Sequence, residues 1–167
     1  MRWILFLTIY ILSIQISVAP VITQEQVYDQ LLEYQERYSI VRLKVKIVTS
    51  DFTPELLYQA LWIYVDNPDI VYNQAKIESG WFTHPRFTVY NNCLGMKPAK
   101  TRDHLQSGIW KKHATYTHWS DCIKDYVLWQ QYWKNRGKQM DDYYQFLEDL
   151  PYATATHYIK TLKSMEG

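Results

Sequence analysis

Two tripeptides limit what this chain can fold into more than any other feature. Thr53-Pro54-Glu55 and Asn67-Pro68-Asp69 each set a capping side chain before a proline and follow it with an acid. Proline at the first helical position forfeits no hydrogen bond, because the leading N–H groups of a helix have no partner inside it, and the acid meets the positive end of the helix dipole. Two short helices in tandem are predicted, running to about Val65 and about Ser79, with Gly80 stopping the second.

The rest of the chain is arranged around this pair. Upstream, Val27, Leu31 and Tyr34 recur at helical spacing behind a Thr23 cap, and Val41, Leu43, Val45 and Ile47 then alternate with Arg42, Lys44 and Lys46, the period of a half-buried strand or extended connector. Residues 81–118 carry Pro85, Gly95, Pro98 and Gly108 without a long helical period, and read as a loop and hairpin region. A helix is expected from Trp119 or Ser120 to Gly137, and two shorter ones over Asp141–Leu150 and Ala155–Lys163. The predicted fold class is mainly α (α+β), with one small β lobe. Expected boundaries are 1–19 for an export signal, 20–50 for an N-terminal helix and extended connector, and 51–167 for the functional domain.

Arg2 is the sole charge before Glu25, and the apolar run from Trp3 to Val18 ends in Ser17-Val18-Ala19. This is the layout of a secretory signal, and the run is shorter than the roughly twenty residues that span a bilayer. Pro20 sits awkwardly after the expected cut, so an uncleaved anchor is the alternative. Removing the signal would leave no stable membrane span. Lys and Arg number 18 against 17 Asp and Glu. That balance lacks the cationic surface a phosphate backbone demands, and nucleic acid is not an expected partner. Five scattered histidines and two distant cysteines make no close set of metal ligands, so neither a metal nor a cofactor is expected. In an oxidising compartment Cys93 and Cys122 would be free to bridge, closing a loop of about thirty residues worth about 3 to 4 kcal/mol. Two buried free thiols are the alternative.

On the helix from Asn67, a step of about 100° per residue gathers Ile70, Val71, Gln74, Ala75, Ile77 and Glu78 on one face and leaves Tyr72, Lys76 and Ser79 opposite. An acid within an apolar stripe must pair, accept hydrogen bonds, or keep its proton because burial disfavours its charge. The last case makes a general acid.

Gln74-Ala-Lys-Ile-Glu78-Ser79-Gly80-Trp81-Phe82, followed by Asn91-Asn92-Cys93-Leu94-Gly95-Met96-Lys97, resembles the glucosaminidase family of peptidoglycan hydrolases (mannosyl-glycoprotein endo-beta-N-acetylglucosaminidase-like domains). His118-Trp119-Ser120-Asp121 with Asp125-Tyr126, and Tyr143-Tyr144-Gln-Phe146-Leu147 with Tyr152-Ala153-Thr154 and Tyr158, extend the similarity in order over about residues 54–165. The resemblance implies a lysozyme-like helical domain with a β-hairpin lobe. It also implies an exported, periplasmic or extracellular enzyme that acts on peptidoglycan glycan strands as a monomer. Glu78 would protonate the oxygen after N-acetylglucosamine, and Tyr152 would match the family's active-site tyrosine. Asn91, Asn92 and Gly95 would shape the cleft floor, and Gln74, Trp81, Tyr90 and Tyr116 would contribute to substrate binding.

The chain also departs from that pattern. The family's second acid is often a glutamate in the hairpin lobe, yet no glutamate lies between Glu78 and Glu148, and Asp103 is the acid that lobe offers. Three schemes remain: Asp103 as base, participation by the substrate's acetamido group, or a transglycosylase-like route with Glu78 alone. A glycan-binding module without turnover is the alternative from another class.

Overall fold

A computed structural model of the chain describes residues 44, 46–47, 50–150, 152 and 157–166. The first expected segment, 1–19, and the helix over 23–38 lie outside these residues. Both proline-led starts form helices, α1 over Pro54–Tyr64 and α2 over Pro68–Glu78. Their caps differ. Thr53 Oγ1 accepts from the Leu56 N–H at 3.2 Å, whereas Asn67 adopts a left-handed backbone at φ 57° and spends its side chain on the Met140 carbonyl at 3.2 Å. The second proline tripeptide therefore starts its helix without a side-chain cap and pins it to a distant loop.

A short helix, α3, spans Pro85–Thr88 inside the segment expected to be loop. Its start repeats the same signal: the His84 ring accepts from the Arg86 N–H at 3.0 Å ahead of a proline. The expected hairpin is β1 (Gly108–Trp110) paired antiparallel with β2 (His113–Thr115), Ile109 opposite Ala114. Lys111 and Lys112 at its tip both take positive φ, 45° and 68°. That turn suits the right-handed twist of the strands, though it favours Asn and Gly over lysine. Helix α4 covers Trp119–Lys134, α5 Tyr143–Asp149 and α6 Tyr158–Lys163, each inside its expected range.

Helix α1 packs on α2 and α4, α6 on α2 and on α5. Leu57, Leu61, Val71, Leu94, Ile123 and Leu162 lie fully or almost fully out of solvent at the centre of this assembly. The architecture is mainly helical with a two-stranded antiparallel lobe, the fold class read from the sequence.

Two local expectations are corrected. Lys44, Lys46 and Ile47 are helical rather than extended, with the Ser50 N–H donating to the Lys46 carbonyl at 3.0 Å. Leu, Lys and Arg all favour helix, and the alternation did not outweigh them. Ser79, assigned to the polar face of α2, is fully buried, because the chain leaves the helix there and the wheel no longer applies. Its hydroxyl donates to the Ala75 carbonyl at 2.6 Å and accepts from the Phe82 N–H at 2.9 Å, tying off the helix end. Among the described residues, no helix is long and apolar enough to cross a membrane.

Candidate active site

Glu78 is the last residue of α2, and the turn tied by Ser79 folds the chain back so that Arg86 of α3 returns to it. Arg86 Nη1 donates to Glu78 Oε2 at 2.9 Å and to the Glu78 carbonyl at 3.3 Å, with both side chains under a fifth exposed. Despite that cation, the Glu78 carboxyl is held above its ordinary range. Burial is the largest influence, and Arg86, Lys97 and the Tyr158 hydroxyl pull the other way without cancelling it. The sequence reading missed Arg86, Lys97 and Tyr158 as neighbours of Glu78. Nothing in local periodicity reveals a partner across a turn.

Gly95 is the contact on the other side. Its φ is 65°, and a Cβ there would meet Glu78 Oε2 at 2.2 Å, so the backbone needs glycine for both conformation and close approach. Gly95 also lines a groove of about 310 Å³ walled by Met96, Pro98, Trp129, Trp133 and Tyr152. The Glu78 carboxylate thus borders this groove across one bare Cα. Among the described residues the buried Trp133 indole N–H has no hydrogen-bond partner.

A directional polar chain braces Glu78 from behind. Gln130 Nε2 donates to Tyr143 Oη at 2.8 Å, and the Tyr143 and Tyr126 hydroxyls are 2.6 Å apart. Tyr126 donates to Gln74 Oε1 at 2.9 Å, and Gln74 Nε2 donates to Tyr158 Oη at 3.3 Å. Because Tyr126 gives its proton to Gln74, the shared proton in the tyrosine pair comes from Tyr143. Tyr158 receives from Gln74 and keeps its own proton for the carboxylate it faces. Four helices contribute to this chain, which ends at Glu78.

The other expected site residues separate into those that reach the groove and those that do not. Tyr152 reaches it, but its hydroxyl donates to the Leu94 carbonyl at 2.6 Å and is pushed well above the ordinary phenol range, first by burial. Tyr152 therefore shapes the floor as a neutral group. Trp81 is 66% exposed and carries the cation of Lys76 near its ring, and Tyr90 stacks on Trp110 at 4.8 Å. Neither lines the groove.

Gln74, Asn92 and Tyr116 are buried and already engaged within the protein. Asn92 donates to the Met96 and Ala114 carbonyls at 3.0 and 2.7 Å and accepts from the Met96 N–H at 2.9 Å. Asn91, at φ 54°, gives its amide to the Tyr116 and Thr117 carbonyls. Tyr116 donates to Asp125 at 2.7 Å. These amides and this phenol build the loop that carries Gly95.

Asp103 is exposed and lines a separate polar pocket, and it is not among the groups that perturb Glu78. In the hairpin, the ring nitrogens of His113 fit a neutral tautomer: Lys97 Nζ lies 2.8 Å from Nε2, and Nδ1 lies 3.0 Å from the Lys111 carbonyl. Burial first, then the cations of Arg86 and Lys97, hold His113 below its ordinary range.

Cys93 and Cys122 are free, buried thiols rather than a bridge. Cys122 Sγ donates to Asn92 Oδ1 at 3.7 Å. Burial, followed by the adjacent Cys93 thiol, raises it well above the usual thiol range, so no thiolate is at hand to start exchange. Among the described residues no group of three or more His, Cys, Asp or Glu comes together to hold a metal ion.

The family model described as mannosyl-glycoprotein endo-beta-N-acetylglucosaminidase matches residues 55–166. Among solved structures, the catalytic domain of the autolysin Auto from Listeria monocytogenes is similar at 19% identity, over 87% of this chain and 94% of that one, with a TM-score of 0.41. No curated protein matches the chain.

Proposed function

The chain belongs to the glucosaminidase family, and from that premise we propose that it is an exported peptidoglycan hydrolase that cleaves the β-1,4 bond after N-acetylglucosamine. The observation that carries the reading is the Glu78 carboxyl, partly buried at the end of α2, held above its ordinary range and set against Gly95, which lines an aromatic groove. Such a group retains a proton at higher pH than a solvated glutamate and can deliver it to a departing glycosidic oxygen. Trp129 and Trp133 offer faces on which a pyranose ring can stack.

A hydrolase with two carboxyl groups keeps them about 5 to 9.5 Å apart. The hairpin lobe supplies no glutamate, and its acid, Asp103, is exposed and lines the other pocket rather than the groove. This favours a route in which Glu78 serves first as acid and then as base, or in which the substrate's acetamido oxygen attacks the anomeric carbon. In either route the Arg86 and Lys97 cations stabilise the glutamate that results when the proton leaves. A secreted location follows from the substrate, and the apolar stretch at the start of the chain is the means proposed for reaching it.

Glu78→Gln tests the reading. Release of reducing ends from purified peptidoglycan should fall by about 100-fold or more, the usual worth of general acid catalysis, with the circular dichroism spectrum unchanged. Mass spectrometry of the products separates the chemistries. Reducing N-acetylglucosamine ends support a glucosaminidase, and anhydromuramic ends support a single-glutamate transglycosylase. The 2.9 Å ion pair with Arg86 favours a second reading, a glycan-binding module without turnover. Binding of glycan with no product of either kind would select it.

A further inference from the structure

Beyond the groove the same wall opens into a second, larger pocket of about 510 Å³. Ala99, Lys100, Thr101, Arg102 and Tyr132 line both spaces, so the two adjoin across one shared wall. Their linings differ in kind. The groove is mostly aromatic and aliphatic, whereas the pocket adds His104, Gln131, Asn135 and Arg136 and a single acid, Asp103.

The charges divide just as clearly. Arg102 is neutralised by Asp125, which accepts from both of its terminal nitrogens at 2.8 and 3.2 Å. Lys100 and Arg136 enter no ion pair among the described residues. Arg136 lies flat on the Tyr132 ring, its guanidinium carbon 3.5 Å from the centroid, and Nη1 donates to the Tyr132 carbonyl at 3.3 Å. A planar fork is thereby held in the lining of the second pocket, with its remaining N–H groups uncommitted among the described residues. Such a fork matches a carboxylate, and a flexible lysine opposite it adds a point charge.

We propose that this pocket binds the acidic peptide borne by the glycan strand, with Lys100 and Arg136 holding its carboxylates while the sugars occupy the groove beside Glu78. The proposal rests on the glycan-strand reading above. In that polymer every second sugar carries a short peptide with free carboxylates, and a groove that admits the sugars must accommodate this branch. The adjoining polar pocket provides the space, and its two uncommitted cations provide the recognition. Asp103 then acts as a boundary that disfavours peptides of higher negative charge.

The test uses the full chain carrying Glu78→Gln, titrated by calorimetry with three soluble glycan fragments. One bears its peptide with free carboxylates, one bears the same peptide fully amidated, and one is stripped of peptide. The free-carboxylate fragment should bind about tenfold more tightly than the other two, the worth of one or two charge-assisted hydrogen bonds at a partly solvated site. Adding Lys100→Ala and Arg136→Gln should bring the three affinities together. Both residues are exposed, so the fold should survive, and Lys100→Ala alone should remove part of the difference. Equal affinities in the parent protein would overturn the proposal, as would a preference unchanged by the substitutions or binding of none of the fragments. Reducing-end release by the native chain is measured separately. Its absence would remove the hydrolase reading, while the affinity ratio would still decide the pocket.

Discussion

The Glu78 carboxyl is governed by opposing influences: burial, the largest, raises it, and Arg86, Lys97 and Tyr158 lower it. Removing Arg86 as Arg86→Met deletes the largest of the lowering influences while keeping an aliphatic stem over the site. The Glu78 pKa should then rise further. If Glu78 must hold a proton to act, the alkaline limb of the pH–rate profile should move to higher pH, because activity is lost as pH rises through that pKa. If an ionised Glu78 were the active form, the acid limb would move up instead and activity at low pH would shrink, which would remove the general-acid role. The same shift has a stability counterpart. A carboxyl raised in the folded state binds its proton more tightly than in the unfolded chain, so its contribution is greatest below the unfolded value and is lost as pH climbs through the folded one. Gly95 supplies a second prediction. Gly95→Ala adds a methyl 2.2 Å from Glu78 Oε2 at φ 65°. The left-handed backbone costs about 1 to 2 kcal/mol for a residue with a Cβ, and relief of the clash must push the carboxyl away from the groove. Reducing-end release should drop by about tenfold or more, about 1.4 kcal/mol of lost transition-state stabilisation, with only a small fall in Tm.

Among the elements, the segment carrying Gly95 and the pocket residues has little regular structure of its own and is held by α4. Asp125 is fully buried and accepts from Arg102, the Leu105 N–H and Tyr116. Asp125→Ala would strand the Arg102 charge and the Tyr116 hydroxyl together, and breaking one side of a buried pair typically costs about 3 to 5 kcal/mol. Urea denaturation should show a loss of that order, and proteolysis should cut first between residues 99 and 107. An unchanged midpoint would mean that the loop is fastened elsewhere. The elements were legible in the sequence where the signal was local. Proline-led starts gave α1 and α2, and aromatic spacing gave α4. The start of α3 carried the same proline signal but was submerged in a segment judged by its glycines and prolines. The sites were legible only in part, for a related reason. Gln74, Asn92 and Tyr116 are amide and phenol groups of the kind that bind sugars, and burial turns the same groups into braces. Glu78 stood out because an acid in an apolar stripe demands an explanation. Arg86 did not, since an arginine in a loop demands none.

At the scale of the whole molecule, the hydrophobic core takes in a residue ahead of the expected boundary at 51. Ile47 lies fully buried within the same core as Leu57, Val71 and Leu162, and the Ser50 carbonyl accepts from Trp119 Nε1 at 3.1 Å and lies 3.1 Å from His118 Nε2. His118 and Trp119 form the start of α4, the helix whose other turns carry Asp125, Trp129 and Trp133. The segment ahead of α1 is therefore structurally continuous with the wall of the groove, although it precedes the residues matched to the family. Ile47→Ala should cost about 2 to 5 kcal/mol, the range for emptying a fully buried aliphatic site, and Ile47→Val only about 0.5 to 1.5 kcal/mol. The loss should appear as one cooperative transition followed alike by far-UV circular dichroism and tryptophan fluorescence, because α4 carries both helix content and indole probes. If Ile47→Ala left the midpoint within error of the parent, or if the two probes separated, residues ahead of α1 would form a detachable arm. Activity would then survive their removal, and the domain would start at α1 as composition alone suggested.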